Sequence, residues 1–268
     1  MSRILRDIWV LIFITTVWAA GCAHNGSLSP PSRLATNSGR ELRVGLDPHY
    51  PPVVYKVQDK LEGIEVELAR QLGQALNRKI VFVETRWEDL IPALNRGRFD
   101  VIMSGMSVTE ERQNLILFTD PYMRIGQMAM IREADLENFR SPAAIYGTTA
   151  RVGFQEATTG ARFVREHLRQ AVFVPQESAE QGLVALRSGQ IDLFIHDAPT
   201  VWRLAADLSN KDLMGLYWPL TEESLAWGLR KSDEDLRREL NSRLSRWKES
   251  GRLQMILSKW IRLRIEVQ

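Results

Sequence analysis

A serine, a threonine and an arginine follow an apolar strand in a pattern that suits the binding of an anion. The strand breaks at Ser104-Gly105, and Ser107, Thr109 and Arg112 then stand at the beginning of a predicted short helix. A cation in the first turn of a helix opposes the helix dipole by roughly 0.3–1 kcal/mol, so a negative group nearby is expected. A guanidinium also offers a planar fork that matches a carboxylate. The pattern therefore predicts that Arg112 holds a ligand carboxylate.

Arg112 has a second interpretation, which the spacing leaves open. Glu110 and Glu111 precede it and Asp120 follows it, and any of the three could form an ion pair with it at the surface. In that case Arg112 would belong to the solvated surface and to no site.

The segment 93–103 has a counterpart later in the chain. It reads ALNRGRFDVIM, and 185–195 reads ALRSGQIDLFI, with its identities at a constant offset of 92 residues. Each segment predicts a helix end, a glycine stop and an apolar strand. Two copies at this distance indicate two α/β lobes of similar build, although chance or a general helix–turn–strand pattern could also produce the match.

Polar residues end both of these strands. Ser104 follows the first strand, and His196-Asp197 follow the second. Alternating strands and helices are typical of mostly parallel sheets, in which ligands bind beyond the carboxyl ends of the strands. We therefore expect one cleft between the lobes, where Asp197 would suit a buried ammonium, which must be paired when it leaves water. Alternatively, Asp197 starts a turn before Pro199, and His196 is a packing residue.

Apolar periodicity predicts the elements that position these residues. The predicted strands are 42–46, 80–84, 99–103, 151–154, 172–174, 191–196 and 225–229. The predicted helices are 64–76, 89–95, 159–168, 179–187, 233–249 and 253–260.

Composition excludes several classes of protein. The chain has 268 residues and is 44% hydrophobic and 25% charged, which is typical of a globular protein with one or two cores. Its 35 basic and 33 acidic residues give a net charge of +2 without a basic patch, so no nucleic-acid partner is expected. The four histidines and one cysteine have no metal-ligand spacing, and we expect no metal, no cofactor and a monomer.

The N-terminus has the features of an exported lipoprotein. Residues 1–21 read as a signal peptide, with two arginines, a short apolar run and small residues at the end. Cys22 follows, and WAAGC resembles the lipobox of bacterial lipoproteins, in which the cysteine is lipidated, here with palmitate expected. Residues 22–40 would then be the lipidated cysteine and a flexible tether, because 23–40 are rich in Ser, Asn, Gly and Pro. This predicts a lipid-anchored protein on the periplasmic side of a membrane.

Eight short motifs follow one another in an order that resembles a known family. They are ELRVGLDPHYPP, GIEVELA, WEDLIPAL, FDVIMSGMSVTEER, FTDPY, VGFQEATTG, IDLFIHDAP and the closing segment at Trp260. Together they resemble the bacterial extracellular solute-binding proteins of family 3, the amino-acid-binding components of ABC transporters. The resemblance covers about 41–262.

This resemblance implies an α/β fold of the type II periplasmic-binding-protein kind, with two α/β lobes joined by a two-strand hinge. Lobe 1 would hold 41–127 plus 217–268 and lobe 2 would hold 128–216, with strands crossing around 127–131 and 217–225. The implied protein is not an enzyme. It captures a polar amino acid in the cleft, closes over it and delivers it to an ABC permease in the membrane.

The resemblance also implies roles for residues in the cleft. Arg112 would hold the ligand's α-carboxylate, assisted by Ser107 and by the helix N-terminus at Thr159, where free N–H groups suit an anion. Asp197 would hold the α-ammonium together with the Ser104 region. The implied set of ligand-binding residues is Asp47, Tyr50, Trp87, Ser104, Gly105, Ser107, Arg112, Thr158, Thr159 and Asp197.

Two aromatic residues in this set have alternative interpretations. By resemblance, Tyr50 and Trp87 would pack on the ligand. Tyr50 lies among prolines and could instead be a loop-packing residue, and Trp87 could be a hydrophobic staple for the next helix.

The chain departs from the family pattern where the ligand side chain would lie. Val53-Val54 replace an aromatic and a polar residue, and Ala157 replaces a glycine before the threonine pair. The first helix opens with GIE, ending at Glu65, in place of GFD. Asp47 and Glu65 lie where relatives that bind basic amino acids make side-chain contacts.

Two other functions stay open. A dehydratase of the prephenate or arogenate type on the same fold needs a carboxylic acid, which Glu156 or Glu177 could supply. A ligand-sensing domain without a permease is the other, because SLAWGLR at 224–230 also resembles the sensor-type domain of some lytic transglycosylases. No transglycosylase domain would follow it before Gln268.

Overall fold

A computed structural model describes residues 41–261. The predicted signal peptide, the Cys22 lipidation site and the tether lie outside the described residues. Within 41–261, no helix is both long enough and apolar enough to cross a membrane.

Short strands and helices alternate along the described part of the chain. The strands are β1 Glu41–Leu46, β2 His49–Tyr50, β3 Val54–Val57, β4 Lys60–Glu62, β5 Lys79–Glu84, β6 Val101–Ile102, β7 Leu117–Phe118, β8 Met123–Ile125, β9 Gln127–Arg132, β10 Arg151–Gln155, β11 Val172–Gln176, β12 Leu193–Asp197, β13 Leu213–Gly215, β14 Glu223–Leu225 and β15 Gly228–Leu229. The α-helices are α1 Ile64–Leu76, α2 Leu90–Asn95, α3 Glu110–Leu115, α4 Pro142–Tyr146, α5 Thr159–His167, α6 Ala179–Arg187, α7 Ala198–Ala206, α8 Glu234–Glu249 and α9 Arg252–Trp260. Short 3-10 helices occur at Trp87–Asp89, Glu133–Phe139 and Leu208–Asn210.

Two five-stranded sheets define the two α/β lobes. The strand order is β5-β1-β6-β15-β7 in lobe 1 and β11-β10-β12-β9-β13 in lobe 2. The sheets are mostly parallel, as expected: four of the five strands in each lobe run in the same direction, and one runs antiparallel to its two neighbours. The reversed strands are β15 in lobe 1 and β9 in lobe 2, which follow the two crossings between the lobes.

The repeat found in the sequence forms the same structure in both lobes. Gly97 and Gly189 end their helices in the left-handed region, with φ of 75° and 70°. The aspartate that follows each turn accepts hydrogen bonds from an arginine of the neighbouring strand. Both the backbone N–H and the guanidinium of Arg43 donate to Asp100, and those of Arg151 donate to Asp192 in the same way.

The hinge is a two-stranded antiparallel ribbon of β8 and β14. The predicted crossing at 127–131 was misplaced, because this apolar segment is buried inside the lobe 2 sheet between β12 and β13. The strand predicted at 225–229 is two strands: Leu225 belongs to the hinge, whereas Gly228 pairs with lobe 1. The lobe boundaries at 127 and 217 stay a prediction.

Apolar side chains fill separate cores in the lobes. In lobe 1 the apolar face of α1 packs with Trp227, which is fully buried, and with residues of α8 and α9. In lobe 2, α5 packs on one side of the sheet and α6 with α7 on the other. Because each lobe has its own core, each presents the carboxyl ends of its strands as a firm wall of the cleft.

Candidate functional site

A cleft between the lobes gathers the residues that the sequence predicted. All ten predicted ligand-binding residues line it. His49, Gln127, Gln155, Ile195 and His196 line it as well, and the sequence did not assign them to the site. That the ten predicted residues bind a ligand stays a prediction.

Arg112 enters this cleft from the first turn of α3. The Thr109 hydroxyl caps the helix and accepts a hydrogen bond from the Arg112 N–H at 3.2 Å. The guanidinium turns back toward the preceding strand, where Nη1 donates to the Ser107 carbonyl at 2.9 Å. Its Cζ lies 5.2 Å from the centre of a Trp87 ring. The helix start thus fixes the guanidinium against the cleft wall.

The Arg112 guanidinium has no ionic partner among residues 41–261. The surface ion pairs with its acidic sequence neighbours do not form there. Burial lowers the pKa of Arg112, and the charges of Asp197 and Glu223 partly oppose this effect. An arginine stays charged in any case, so the wall presents a desolvated cation that suits an anionic ligand group.

A helix N-terminus supplies further donors from lobe 2. Thr158 caps α5: its hydroxyl accepts from the Ala161 N–H at 3.1 Å and donates to the Gln155 carbonyl at 2.7 Å. The first N–H groups of a helix have no partner within it. The beginning of α5 at Thr159 therefore lies in the cleft with the features of an anion-binding helix end.

Asp197 ends β12 and faces the cleft from lobe 2. Tyr50 donates its hydroxyl to Oδ2 at 2.5 Å, and Gln127 Nε2 donates to Oδ1 at 2.5 Å. Burial raises the pKa of Asp197; His196 opposes this effect and Glu223 adds to it. Asp197 is the N-cap residue of α7, but its side chain makes no capping hydrogen bond. No lysine or arginine of the described residues pairs with it. It is therefore suited to an ammonium group.

Two aromatic side chains of lobe 1 reach across the cleft. The Tyr50 hydroxyl bonds to Asp197, and the Trp87 indole N–H donates to the Ala157 carbonyl at 2.9 Å. The Tyr50 ring also lies 6.0 Å from the ring of His196. The lobes are therefore in contact through both side chains, and neither residue acts only in local packing.

The lobe 1 wall is held by backbone hydrogen bonds. Asp47 accepts from the Trp87 N–H at 2.7 Å and contacts His49, while its own N–H donates to Ser104 Oγ at 2.9 Å. Gly105 has a φ of 67°, and a Cβ there would lie 2.5 Å from the Tyr50 ring. Only glycine at position 105 leaves enough space for the Tyr50 ring.

Glu65 does not contact the cleft, contrary to the side-chain role suggested for it. It is fully buried, and its Oε1 accepts from the Gly105 N–H at 3.0 Å and from the Tyr122 hydroxyl at 2.6 Å. Burial raises the pKa of Glu65 to about 7, although both hydrogen bonds act in the other direction. It supports the cleft wall from behind, because the first turn of α1 lies beneath Gly105.

The two glutamates considered for acid catalysis lie outside the lining. Glu156 is exposed and accepts from Arg165 Nη2 at 2.5 Å, and Glu177 accepts from Gln181 at 3.3 Å. In the described part of the chain, no three His, Cys, Asp or Glu side chains are grouped as a metal site.

The comparison with known proteins agrees with this geometry. The family model of bacterial extracellular solute-binding proteins, family 3, matches residues 42–263. The chain belongs to this family. One relative of this family 3 protein is the ABC transporter glutamine-binding protein of Bacillus subtilis (strain 168), which is 28% identical over 210 residues, covering 76% of this chain and 74% of the relative.

Two solved structures have the same fold as this family 3 protein, that of type II periplasmic amino-acid-binding proteins. A binding component of an ABC transporter from Wolinella succinogenes, complexed with lysine, has a TM-score of 0.79 and 28% identity, covering 83% of this chain and 96% of the other. An ancestral amino acid-binding protein, a precursor of cyclohexadienyl dehydratase, has a TM-score of 0.75 and 30% identity, with the same coverage. The expected family and fold are therefore confirmed.

Proposed function

We propose that this protein captures a polar amino acid between its lobes, with Arg112 on the α-carboxylate and Asp197 on the α-ammonium. One observation carries the proposal. Two side chains of opposite charge, one from each lobe, line the same cleft, and neither has an ionic partner among residues 41–261. A zwitterionic ligand satisfies both at once, and its binding holds the lobes closed.

A thermal-shift screen followed by calorimetry tests the proposal. An amino acid at 100 times its dissociation constant should stabilise the protein by about 2.7 kcal/mol. Arg112→Ala should weaken its binding at least about 100-fold, because the carboxylate would lose its charged partner. Arg96→Ala is a matched control, since Arg96 is exposed. Wild-type affinity in a folded Arg112→Ala protein would refute the assignment.

We also propose that the protein is anchored by lipid on Cys22 and delivers its ligand to an ABC permease. The lipobox-like sequence supports the anchor, and the ABC transporter relatives support the delivery. Replacing Cys22 with serine should release the protein from the membrane fraction. A gene for a permease beside the gene for this protein would favour delivery over a sensing role.

A dehydratase has less support than a binding protein. One structural neighbour is a dehydratase precursor, but the two glutamates considered as the acid lie outside the cleft lining. Turnover of prephenate or arogenate by the purified protein would favour the enzyme, and binding of an amino acid without turnover would favour capture.

A further inference from the structure

Glu223 is a carboxylate that lies directly behind the cleft wall. It begins β14, the returning strand of the hinge, and is half-buried. Its Oε2 accepts a hydrogen bond from Ser107 Oγ at 2.6 Å. Its Oε1 accepts from Thr221 Oγ1 and from Gln127 Nε2, both at 2.9 Å. Ser107 and Gln127 both line the cleft, so Glu223 is one hydrogen bond away from a bound ligand.

The Gln127 amide joins Glu223 to Asp197. Its Nε2 lies 2.9 Å from Glu223 Oε1 and 2.5 Å from Asp197 Oδ1, and Gln127 itself is fully buried. Two carboxylates from different parts of the fold thus converge on one neutral amide. Neither of them pairs with a lysine or arginine of the described chain, so their negative charges reinforce each other at the base of the cleft.

The charges at the cleft indicate which charge on a ligand would be favourable. Arg112 is the only permanent cation among the described side chains that line the cleft. A zwitterionic amino acid would use Arg112 and Asp197. Asp47 is already bonded to a backbone N–H and to His49. Glu223 would then have hydrogen bonds but no cationic partner, directly behind the wall of a cleft from which closure would exclude water, and this favours a further positive charge on the ligand.

Resting on the proposed function, we infer that Glu223 makes the cleft select amino acids with a positively charged side chain over neutral and acidic ones. It is a positioning residue that acts by its charge through Gln127 and Ser107. Arg162 is the other cation near Arg112, but it is exposed on α5 and does not line the cleft. Solvent and salt therefore screen its charge more strongly than that of Glu223.

Ligand pairs that differ in charge but hardly in shape test this inference by calorimetry. Arginine and citrulline form one pair, and lysine and 6-hydroxynorleucine form the other. The wild-type protein should bind the cationic member of at least one pair about tenfold more tightly than its neutral counterpart. Glu223→Gln keeps the size and the acceptor oxygen but removes the charge, so this preference should fall by about tenfold. Glu223→Asp keeps the charge and should retain most of the preference.

The neighbouring Glu222 offers a matched control, because it is exposed. Glu222→Gln should change the ratio of the two affinities by less than about twofold, as expected for an exposed charge. The ratio separates a role in charge from a role in folding, because a merely structural loss would weaken both ligands of a pair equally. The melting temperature of each variant without ligand reports its folding.

Several outcomes would overturn the inference. The inference is excluded if the wild-type protein binds citrulline as tightly as arginine and 6-hydroxynorleucine as tightly as lysine. Tighter binding of glutamine or glutamate than of any cationic amino acid would also exclude it, as would an unchanged ratio in Glu223→Gln. If a neutral amino acid binds and depends on Arg112, the proposed function stands and only this inference falls. If no α-amino acid binds, the proposed function itself fails.

Discussion

The two lobes share one end of their repeated strand and differ at the other. At the start of β6 and of β12, an aspartate accepts the same hydrogen bonds from an arginine of the neighbouring strand. At the opposite end, the offset of 92 residues sets Ser104 against His196 and Gly105 against Asp197. Lobe 1 there has a position without a side chain, and lobe 2 has a carboxylate.

The difference is complementary across the cleft. Gly105 leaves room for the Tyr50 ring, and Tyr50 then reaches Asp197 in lobe 2. The cation of lobe 1 comes from outside the repeat, on α3, where Arg112 faces the same space. The start of the repeated strand therefore serves the fold, whereas its end differs between the lobes and supplies the carboxylate of the cleft in lobe 2 only.

The largest stability effect should come from the shared end. Asp100→Asn and Asp192→Asn should each lower the free energy of unfolding by about 2 kcal/mol, because each variant weakens charge-assisted hydrogen bonds. Urea denaturation measures both losses. Equal losses with unchanged ligand affinity would support the shared scaffold, and a loss confined to one lobe would break the comparison.

Acid should remove the ionic part of these pairs. Burial pushes the pKa of Asp100 upward, but the Arg43 hydrogen bonds outweigh it and the pKa is lowered. The Arg151 hydrogen bond lowers the pKa of Asp192. A lowered pKa in the folded state means stability that is present above about pH 4 and is lost as the pH falls through the folded value. The wild type should therefore lose more stability than either Asn variant between about pH 5 and pH 2. Equal acid sensitivity in all three would contradict this.

The glycines of the repeat should show a smaller and equal effect. Gly97→Ala and Gly189→Ala should each destabilise the protein by about 1–2 kcal/mol, because both residues have a left-handed backbone that disfavours a Cβ. The added Cβ would meet nothing within 4 Å, so no steric clash adds to this cost. Ligand affinity should stay unchanged in both. Gly105→Ala should instead weaken binding, since its Cβ would displace Tyr50. Similar affinities in all three variants would remove the distinction between the two ends.

The smallest effect should come from Ala157, a left-handed residue that is not glycine. It has a φ of 58°, which explains why the family pattern has glycine at this place. Ala157→Gly should raise the free energy of unfolding by less than about 1 kcal/mol, because the relief of backbone strain is partly offset by a more flexible unfolded chain. A lower melting temperature would show that the Ala157 side chain contributes packing.

The sequence predicted most of the elements with strong local signals. Helices α1 and α6 have the predicted bounds, because their apolar spacing is clear. The hinge was misplaced by several residues, since the apolar run at 127–131 looks the same in a hinge strand as in a sheet. Short strands such as β7 and β13 were missed because they are made by tertiary pairing and not by local pattern.

The ten predicted residues all line the cleft, but five further lining residues and the hydrogen bonds behind the wall were not predicted. The order of the motifs predicted that Arg112 and Asp197 lie in the same cleft, and both line it. The contact of Gln127 with Glu223 joins residues 96 positions apart and has no local signal. Glu65 was assigned to the wrong side of the wall, because a residue in the first turn of a helix can face either the cleft or the core.

A crossed experiment on ligand and protein tests the central claim most directly. The best-bound amino acid, its α-carboxamide and its deamino analogue would each be titrated into the wild type, Arg112→Ala and Asp197→Asn. Arg112→Ala should weaken the amino acid at least about 100-fold but the carboxamide little, and Asp197→Asn should spare the deamino analogue, with coupling energies of about 2 kcal/mol or more. Additive losses, with no coupling between each residue and its proposed ligand group, would contradict the account.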